Sequence, residues 1–345
     1  MKRNGESLTY EIGASGFDTE FHMRKFSFMG NVFVLFQFAI LAQNRKSFNR
    51  IYNHLPGSRG FSAEFEAKVP KGLTKPVQWA TMVKRKKGDK AMANIDKIKY
   101  TMTDIHMHLV PGADDGAVDM EMALAMLLRA QEQGIRAVFA TPHSDAFRFN
   151  PQRTRNQFNL LKDRAALLFP QIQIFPGCEI YCDRDIMSDV LDRLNRGEYP
   201  SMNAGKYVLV EFSMWVRPEN TLCCMEALVE DGWTPILAHA ERYSYLRGNM
   251  ELLDNFRSMG CKIQINAYSL FEEGQAAIRE WARRIVLEEK ADFLGTDAHR
   301  TDHRPPCAAQ GLKWLYENCP EGYADALARG NAQDLLMEVK ERELC

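Results

Sequence analysis

Thr103-Asp104-Ile105-His106-Met107-His108 has the length and apolar content of a β-strand, and it ends in two histidines. Successive side chains of a strand point to opposite faces, so His106 and His108 share one face. Similar apolar runs follow at residues 136–141, 172–179, 207–212, 235–239, 262–266 and 292–296. Helix-like segments lie between them. Residues 120–133 space Met122, Met126 and Ala130 along one helical stripe and stop at Gly134. Asn150-Pro151 reads as a cap followed by a first-turn proline. Residues 251–259 end at Gly260, and residues 278–288 follow Gly274. Strand–helix alternation of this kind implies a parallel sheet. Seven such units predict an α/β fold closed into a distorted β/α barrel, with a doubly wound open sheet as the structural alternative. No Gly-x-Gly-x-x-Gly or Walker-type loop follows any strand, so nucleotide binding by those routes is not indicated.

Six of the seven strands end in His, Asp or Glu. Strand one ends in His106-Met107-His108, strand two runs into Thr141-Pro142-His143, and strand three ends in Gly177-Cys178-Glu179. Strand four reaches Glu211, strand five His239, and strand seven Asp297-Ala298-His299. Barrels build their active sites at this end of the strands. One histidine at a strand end is commonly a hydrogen-bonded core residue, and one Glu there is commonly a helix cap. The coincidence argues otherwise. Of eight histidines, six follow residue 102, and five of those six fall at strand ends. With Asp115 the candidate metal ligands are His106, His108, Asp115, His143, Glu179, Glu211, His239, Asp297 and His299. One ion cannot use nine ligands, whereas two or three ions with bridging carboxylates can. Mixed imidazole and carboxylate donors suit manganese, iron or zinc. His22, His54 and His303 are assigned no ligand role.

The composition, 46% hydrophobic and 26% charged over 345 residues, is that of a globular protein with a sizeable core. The net charge of -1 hides a division. Residues 1–101 carry 18 Lys+Arg against 8 Asp+Glu, and the remainder 26 against 37. A basic arm therefore precedes an acidic domain, which is a poor nucleic-acid binder but suits metal cations. All eight cysteines lie in the acidic part without a Cys-x-x-Cys pair, which reads as reduced thiols of a cytoplasmic protein. The apolar run 28–42 is shorter than the roughly twenty residues of a membrane span. Acidic residues upstream, such as Glu6 and Glu11, argue against a signal peptide. Lys84-Arg85-Lys86-Lys87 reads as a solvated charge run. The expectation is a basic, poorly ordered extension over 1–101, contributing neither core nor catalysis, and a catalytic domain over 102–345. A simpler account makes Met102 the natural start.

The motifs resemble the polymerase-and-histidinol-phosphatase (PHP) superfamily. Within it they are most similar to the bacterial manganese-dependent tyrosine-protein phosphatases associated with capsule and exopolysaccharide kinases. The matching pieces are Asp104-Ile105-His106-Met107-His108, Pro111-Gly112-Ala113-Asp114-Asp115-Gly116, Ala140-Thr141-Pro142-His143 and Gly177-Cys178-Glu179-Ile180. Further along they are Glu211-Phe212-Ser213, His239-Ala240-Glu241-Arg242-Tyr243, Asp297-Ala298-His299 and Arg304-Pro305-Pro306. The Asp-Asp-Gly and His-x-Glu-Arg-Tyr segments are the most specific. The resemblance implies a distorted (β/α)7 TIM-like barrel, the PHP fold, with a site for two or three Mn2+ ions held by the nine residues named above. It implies that Arg242 and Arg304 hold the substrate phosphate. It also implies a phosphotyrosine protein as substrate, a bacterial tyrosine kinase controlling capsule or exopolysaccharide synthesis. Two positions depart from the pattern. Ser144 stands where a second histidine or a basic residue is common, and Arg300 stands where Asn is common.

Bound metals lower the pKa of water and so present hydroxide at neutral pH. Arginine grips phosphate through two parallel N–H groups, and Arg242 and Arg304 both follow a ligand histidine closely. The bland alternative makes each a surface partner of Glu241 or Asp302. Tyrosine leaves as a phenolate of pKa about 10 and needs little proton donation, though Asp114 or Asp115 could move a proton. Cys178-x5-Arg184 has the spacing of a cysteine phosphatase loop but lacks its glycines. The rival functions are a histidinol-phosphatase-like small-molecule phosphomonoesterase and a non-catalytic metal-binding regulator. A substrate panel separates them. No nucleic-acid partner and no stable membrane span are expected, and a homo-oligomer is left open.

Overall fold

The computed structural model describes residues 99–271 and 275–337. The apolar run 28–42, the Lys84–Lys87 charges, His22, His54, Gly274, Cys345 and nearly all of the expected extension lie outside them. Tyr100, just before the expected boundary, stacks flat on Tyr316 with ring centroids 4.1 Å apart.

Eight strands form. They are β1 (Met102–Met107), β2 (Ile135–Ala140), β3 (Gln173–Pro176), β4 (Glu179–Tyr181), β5 (Tyr207–Glu211), β6 (Thr234–Leu237), β7 (Lys262–Asn266) and β8 (Phe293–Gly295). Every pairing is parallel, in the orders β1-β2-β3 and β4-β5-β6-β7-β8. The run 172–179, read as one strand, is therefore two. The chain breaks at Gly177-Cys178, where a Cβ on Gly177 would stand 2.9 Å from Thr141 Cγ2 and 3.0 Å from Met202 Sδ. Backbone bonds bridge this seam, Gly177 N to Ala140 O and Glu179 N to Pro142 O, each 3.1 Å. At the opposite seam Asp297 N donates to His106 O (2.7 Å) and His108 N to Ala298 O (2.9 Å). The ring closes with β3 and β4 sharing one position, which makes the seven-unit distorted barrel.

Helices cover the outside: α1 (Met120–Glu132), α2 (Ser144–Phe149), α3 (Pro151–Leu168), α4 (Met187–Asn195), α5 (Pro218–Glu230), α6 (Met250–Ser258), α7 (Ala276–Leu287), α8 (Ala309–Asn318), α9 (Glu321–Asp325) and α10 (Ala332–Met337). Asp119 caps α1 by accepting from Met122 N at 2.8 Å, and Ala123, Met126, Leu127 and Ala130 form its buried face. Met122 lies beside that face, and its sulfur takes the Thr301 hydroxyl. Pro151 opens α3 as expected, but the Asn150 side chain makes no cap. Thr154 Oγ1 sits there instead, 2.9 Å from the carbonyls of both Ala146 and Asn150.

Ile105, Phe139, Leu209, Ile236 and Phe293, one from each of five strands, pack with Met202 and Leu335. Met202 belongs to the turn just before β5, so this apolar plug fills the N-terminal end of the barrel. Each such buried side chain contributes about 1.5–3 kcal/mol. The polar strand ends are left to the other mouth. The seven described cysteines are free thiols. No helix among the described residues is long and apolar enough to cross a membrane.

Candidate metal centre

The strand ends and the loop after β1, which carries Asp115, bring all nine candidates to one place. Glu179, 1% exposed at the start of β4, is the hub. Its Oε1 lies 3.2 Å from His106 Nε2 and 3.0 Å from His239 Nε2. Its Oε2 lies 3.1 Å from both His108 Nε2 and His143 Nδ1. Glu211 Oε1 joins His143 Nδ1 at 3.0 Å. Asp297 Oδ1 faces His106 at 3.6 Å and His108 at 3.5 Å. Asp115 Oδ1 faces His143 Nε2 at 3.5 Å and His299 Nε2 at 3.4 Å. Among the described residues three donor groups emerge: His106, His108 and Glu179; His143, Glu179 and Glu211; and His108, Asp115, His143 and His299. Shared members tie the groups together, as bridging ligands would.

The donor chemistry fits metal ions. His106 Nε2 and His108 Nε2 approach to 3.3 Å, so at most one proton fits between them. Buried carboxylates and imidazole lone pairs converge, and buried charges of this kind are paired or coordinate metals. His239 Nδ1 is buried without a hydrogen-bond partner. Burial pushes the Glu179 carboxyl up, but His106, His108 and His143 outweigh it and hold the group well below its usual range. Asp297 is held low in the same way by His106 and His108. Burial would lower the imidazoles, yet Glu179 and Asp297 raise His106, Asp114 raises His108 well above its ordinary value, and Glu179 and Glu211 carry His143 up to about 10. His299 behaves oppositely. Burial, the charge on His108 and Arg304 take it down to about 3, so it stays neutral and ready to ligate.

Polar side chains behind the donors orient them. Asp114 accepts from His108 Nδ1 (2.8 Å), His143 N (2.9 Å) and Gly116 N (2.9 Å). A proton on His108 Nδ1 turns the Nε2 lone pair toward Glu179. Gln264 Oε1 lies 3.2 Å from His106 Nδ1 and accepts from His239 N at 2.8 Å, while its amide donates to Asn266 Oδ1 at 2.9 Å. Asn266 Nδ2 donates to Asp297 Oδ2 at 3.3 Å. Asp104 accepts from the amides of His106 and Thr296 and from the Thr296 hydroxyl, and burial raises its carboxyl to about 6. Sequence reading passed over Gln264 and Asn266 because β7 brings no ligand. Two polar residues at i and i+2 on a buried strand are the signal that could have found them. Glycine is required beside the donors. A Cβ on Gly116 would meet His108 O at 2.3 Å, and one on Gly295 would meet His106 Cβ at 2.7 Å. His239, Asp297 and Arg304 adopt positive φ (+35°, +52° and +53°), a strained backbone concentrated where function is built.

Both arginines reach the centre. Arg242 Nη1 donates to Asp297 Oδ2 at 2.9 Å, and Arg304 Nη2 donates to the same oxygen. Arg304 Nη1 lies 3.1 Å from His299 Nε2. Neither pairs with Glu241 or Asp302, the partners the bland reading names. Glu241 is buried and accepts from Asn266 N and Ser269 Oγ. His303 is exposed and joins none of the donor groups among the described residues. Cys178 is wholly buried, and burial drives its thiol well up, which is the opposite of an activated nucleophile.

The model of the family described as capsular polysaccharide synthesis, CpsB/CapC, matches residues 102–337. The tyrosine-protein phosphatase CpsB of Streptococcus agalactiae serotype V is 31% identical over 242 residues, covering 68% of this chain and 98% of that one. CpsB of Streptococcus pneumoniae is 28% identical, covering 69% and 99%. The tyrosine-protein phosphatase YwqE of Bacillus subtilis is 30% identical, covering 59% and 79%. Among solved structures, a chain from the crystal structures of YwqE and CpsB, described as metal-dependent tyrosine phosphatases, superposes with a TM-score of 0.60. It is 27% identical and covers 69% of this chain and 94% of its own.

Proposed function

Because this chain belongs to the CpsB/CapC family of capsular polysaccharide synthesis, we propose that its metal centre makes it a protein-tyrosine phosphatase. The observation that carries the reading is the gathering of four imidazoles around Glu179, with Arg242 and Arg304 both on Asp297 at the edge of the same cluster. His106, His108, Asp115, His143, Glu179, Glu211, His239, Asp297 and His299 hold two or three ions. Mn2+ is our choice, with iron or zinc compatible with the same donors. Ions bound there supply a water of lowered pKa at neutral pH. The chain's own residues do the rest. Arg242 and Arg304 offer guanidinium N–H groups to the phosphate and to the charge that builds on it. Asp115, 64% exposed and facing two imidazoles, is placed to take or give a proton at the open side of the centre. Asp114, with all its contacts inward, positions His108. The phenolate leaving group, of pKa about 10, departs with little assistance.

The substrate we assign is a phosphotyrosine on a bacterial tyrosine kinase that controls capsule or exopolysaccharide synthesis, met in the cytoplasm. The test is the full chain with Mn2+ against a phosphotyrosine peptide, a phosphoserine peptide and histidinol phosphate. Preference for the first supports the reading. Preference for histidinol phosphate makes the protein a small-molecule phosphatase, and no turnover with ions bound makes it a regulator.

A further inference from the structure

The outermost donor group is His108, Asp115, His143 and His299. Two of its imidazoles are held from behind, His108 Nδ1 by Asp114 and His299 Nδ1 at 3.0 Å from Asp297 O, and Asp114 also accepts from the backbone amide of His143. The Asp115 side chain has no such support, so the backbone of the loop after β1 sets its place. One side of that loop is fixed. Asp114 accepts from Gly116 N, Ala117 N donates to His108 O at 3.1 Å, and Gly112 N donates to Ala117 O at 2.7 Å. The outer side carries the carbonyls of Asp115 and Gly116, and Arg300 reaches across to both. Its Nε donates to Asp115 O at 3.0 Å and to Gly116 O at 3.1 Å.

Arg300 is itself anchored. Its amide donates to His303 O at 3.0 Å, and the next residue, Thr301, places its amide and hydroxyl on Met122 Sδ. Arg129 Nη1 donates to Thr301 O at 3.4 Å. The guanidinium therefore braces the loop after β1 against the loop after β8. Those two loops carry Asp115 and His299, whose facing atoms are 3.4 Å apart.

We propose that Arg300 is a positioning residue for the outermost metal ion, holding Asp115 at the distance from His299 that one ion can span. The inference rests on the metal-centre reading above. It also makes a prediction of definite sign. A guanidinium beside a cation repels it, so if charge were the whole effect, removing Arg300 would tighten the ion. If Arg300 is a brace, removing it loosens the ion, by roughly the 10–100-fold typical of groups that orient metal ligands.

The experiment uses the full chain as wild type, Arg300→Met and Arg300→Lys. Each is loaded with Mn2+, its ions are counted by elemental analysis after desalting, and the weakest ion is titrated by calorimetry. Melting of the chelated proteins is followed alongside. The expected result is three ions in wild type and a third ion weakened about 10–100-fold in Arg300→Met, with metal-free melting close to wild type. Arg300→Lys should fall between, since it keeps charge but loses the planar N–H that serves both carbonyls. A third ion bound by Arg300→Met as tightly as by wild type, or more tightly, overturns the inference alone. So does loss of a cooperative melt in that variant, which would make Arg300 a support of the fold. Wild type that keeps two ions overturns this inference and leaves the two-ion form of the metal-centre reading, wild type that keeps none overturns both, and either failure shows before any variant is compared.

Discussion

Replacing Asp114 by Asn removes one charge and one acceptor oxygen while keeping the shape. In the native site Oδ2 accepts from His108 Nδ1 and His143 N, and Oδ1 accepts from Gly116 N. An amide offers one oxygen only. With that oxygen toward His108, the NH2 group faces the Gly116 N–H and that buried donor is lost. With the oxygen toward Gly116, the NH2 group faces His108. The imidazole must then move its proton to Nε2, the nitrogen that lies 3.1 Å from Glu179 in the donor cluster. An Nε2 carrying hydrogen cannot ligate a metal. Leaving one buried donor unsatisfied costs about 1–3 kcal/mol. At about 2–4 °C per kcal/mol for a domain of this size, the metal-free protein should melt roughly 2–12 °C lower. Metal affinity should fall about 10–100-fold, as it does when a group orienting a ligand is removed. The acid limb should change too. Burial pushes the Asp114 carboxyl up, but His108 outweighs it and holds the group below its usual range. The carboxylate's stabilisation is therefore present above about pH 4 and is lost as pH falls further, a loss the Asn variant should lack. Calorimetric Mn2+ titration and thermal melts of the two proteins check this. Wild-type affinity together with a wild-type melting temperature would refute the orienting role.

Arg242→Ala or Arg304→Ala should lower kcat/KM on a phosphotyrosine peptide about 10²–10³-fold with ion content retained, and lysine should rescue only partly. Wild-type kinetics in both Ala variants would contradict a phosphate role. Gly116→Ala forces a Cβ to within 2.3 Å of His108 O and should cost about 1–3 kcal/mol in denaturant unfolding. An unchanged midpoint would show that the loop can move aside. In the metal-free protein burial would lower the His143 imidazole, but Glu179 and Glu211 carry it up to about 10, so it holds a proton at neutral pH. Its stabilisation is present below about pH 6.5 and is lost as pH rises toward 10. Metal must expel that proton, so Mn2+ affinity should climb from about pH 6 to 8. Calorimetry in two buffers of different ionisation heat would count the protons released, and a flat affinity would contradict the charge state.

The strand ends are legible because the period of two and the chemistry of His and carboxylate coincide there. The i, i+2 spacing puts His106 with His108 and Asp297 with His299 on one face, and it is the coincidence of six such strand ends, not the spacing alone, that marks them as candidate ligands. The barrel follows from alternation, but its seam at Gly177-Cys178 does not. A close approach of backbone to Thr141 and Met202 interrupts a run that is continuous in hydropathy. Arg242 and Arg304 are legible as neighbours of the centre, while their shared contact with Asp297 is a tertiary fact with no local signature. The same holds for Gln264 and Asn266, whose partners lie on other strands. Asp114 and Asp115 are adjacent in sequence but opposite in role. The fold turns one inward onto His108 and leaves the other at the open side.

Activity measured against bound ions tests the central claim most directly. Full-length protein is stripped with chelator, dialysed, and titrated with Mn2+ while phosphotyrosine-peptide hydrolysis and ions per chain are followed together. The account predicts no turnover in the stripped protein, and turnover that rises to its full value only as two to three ions per chain are bound. Full turnover in the stripped and dialysed protein would contradict it.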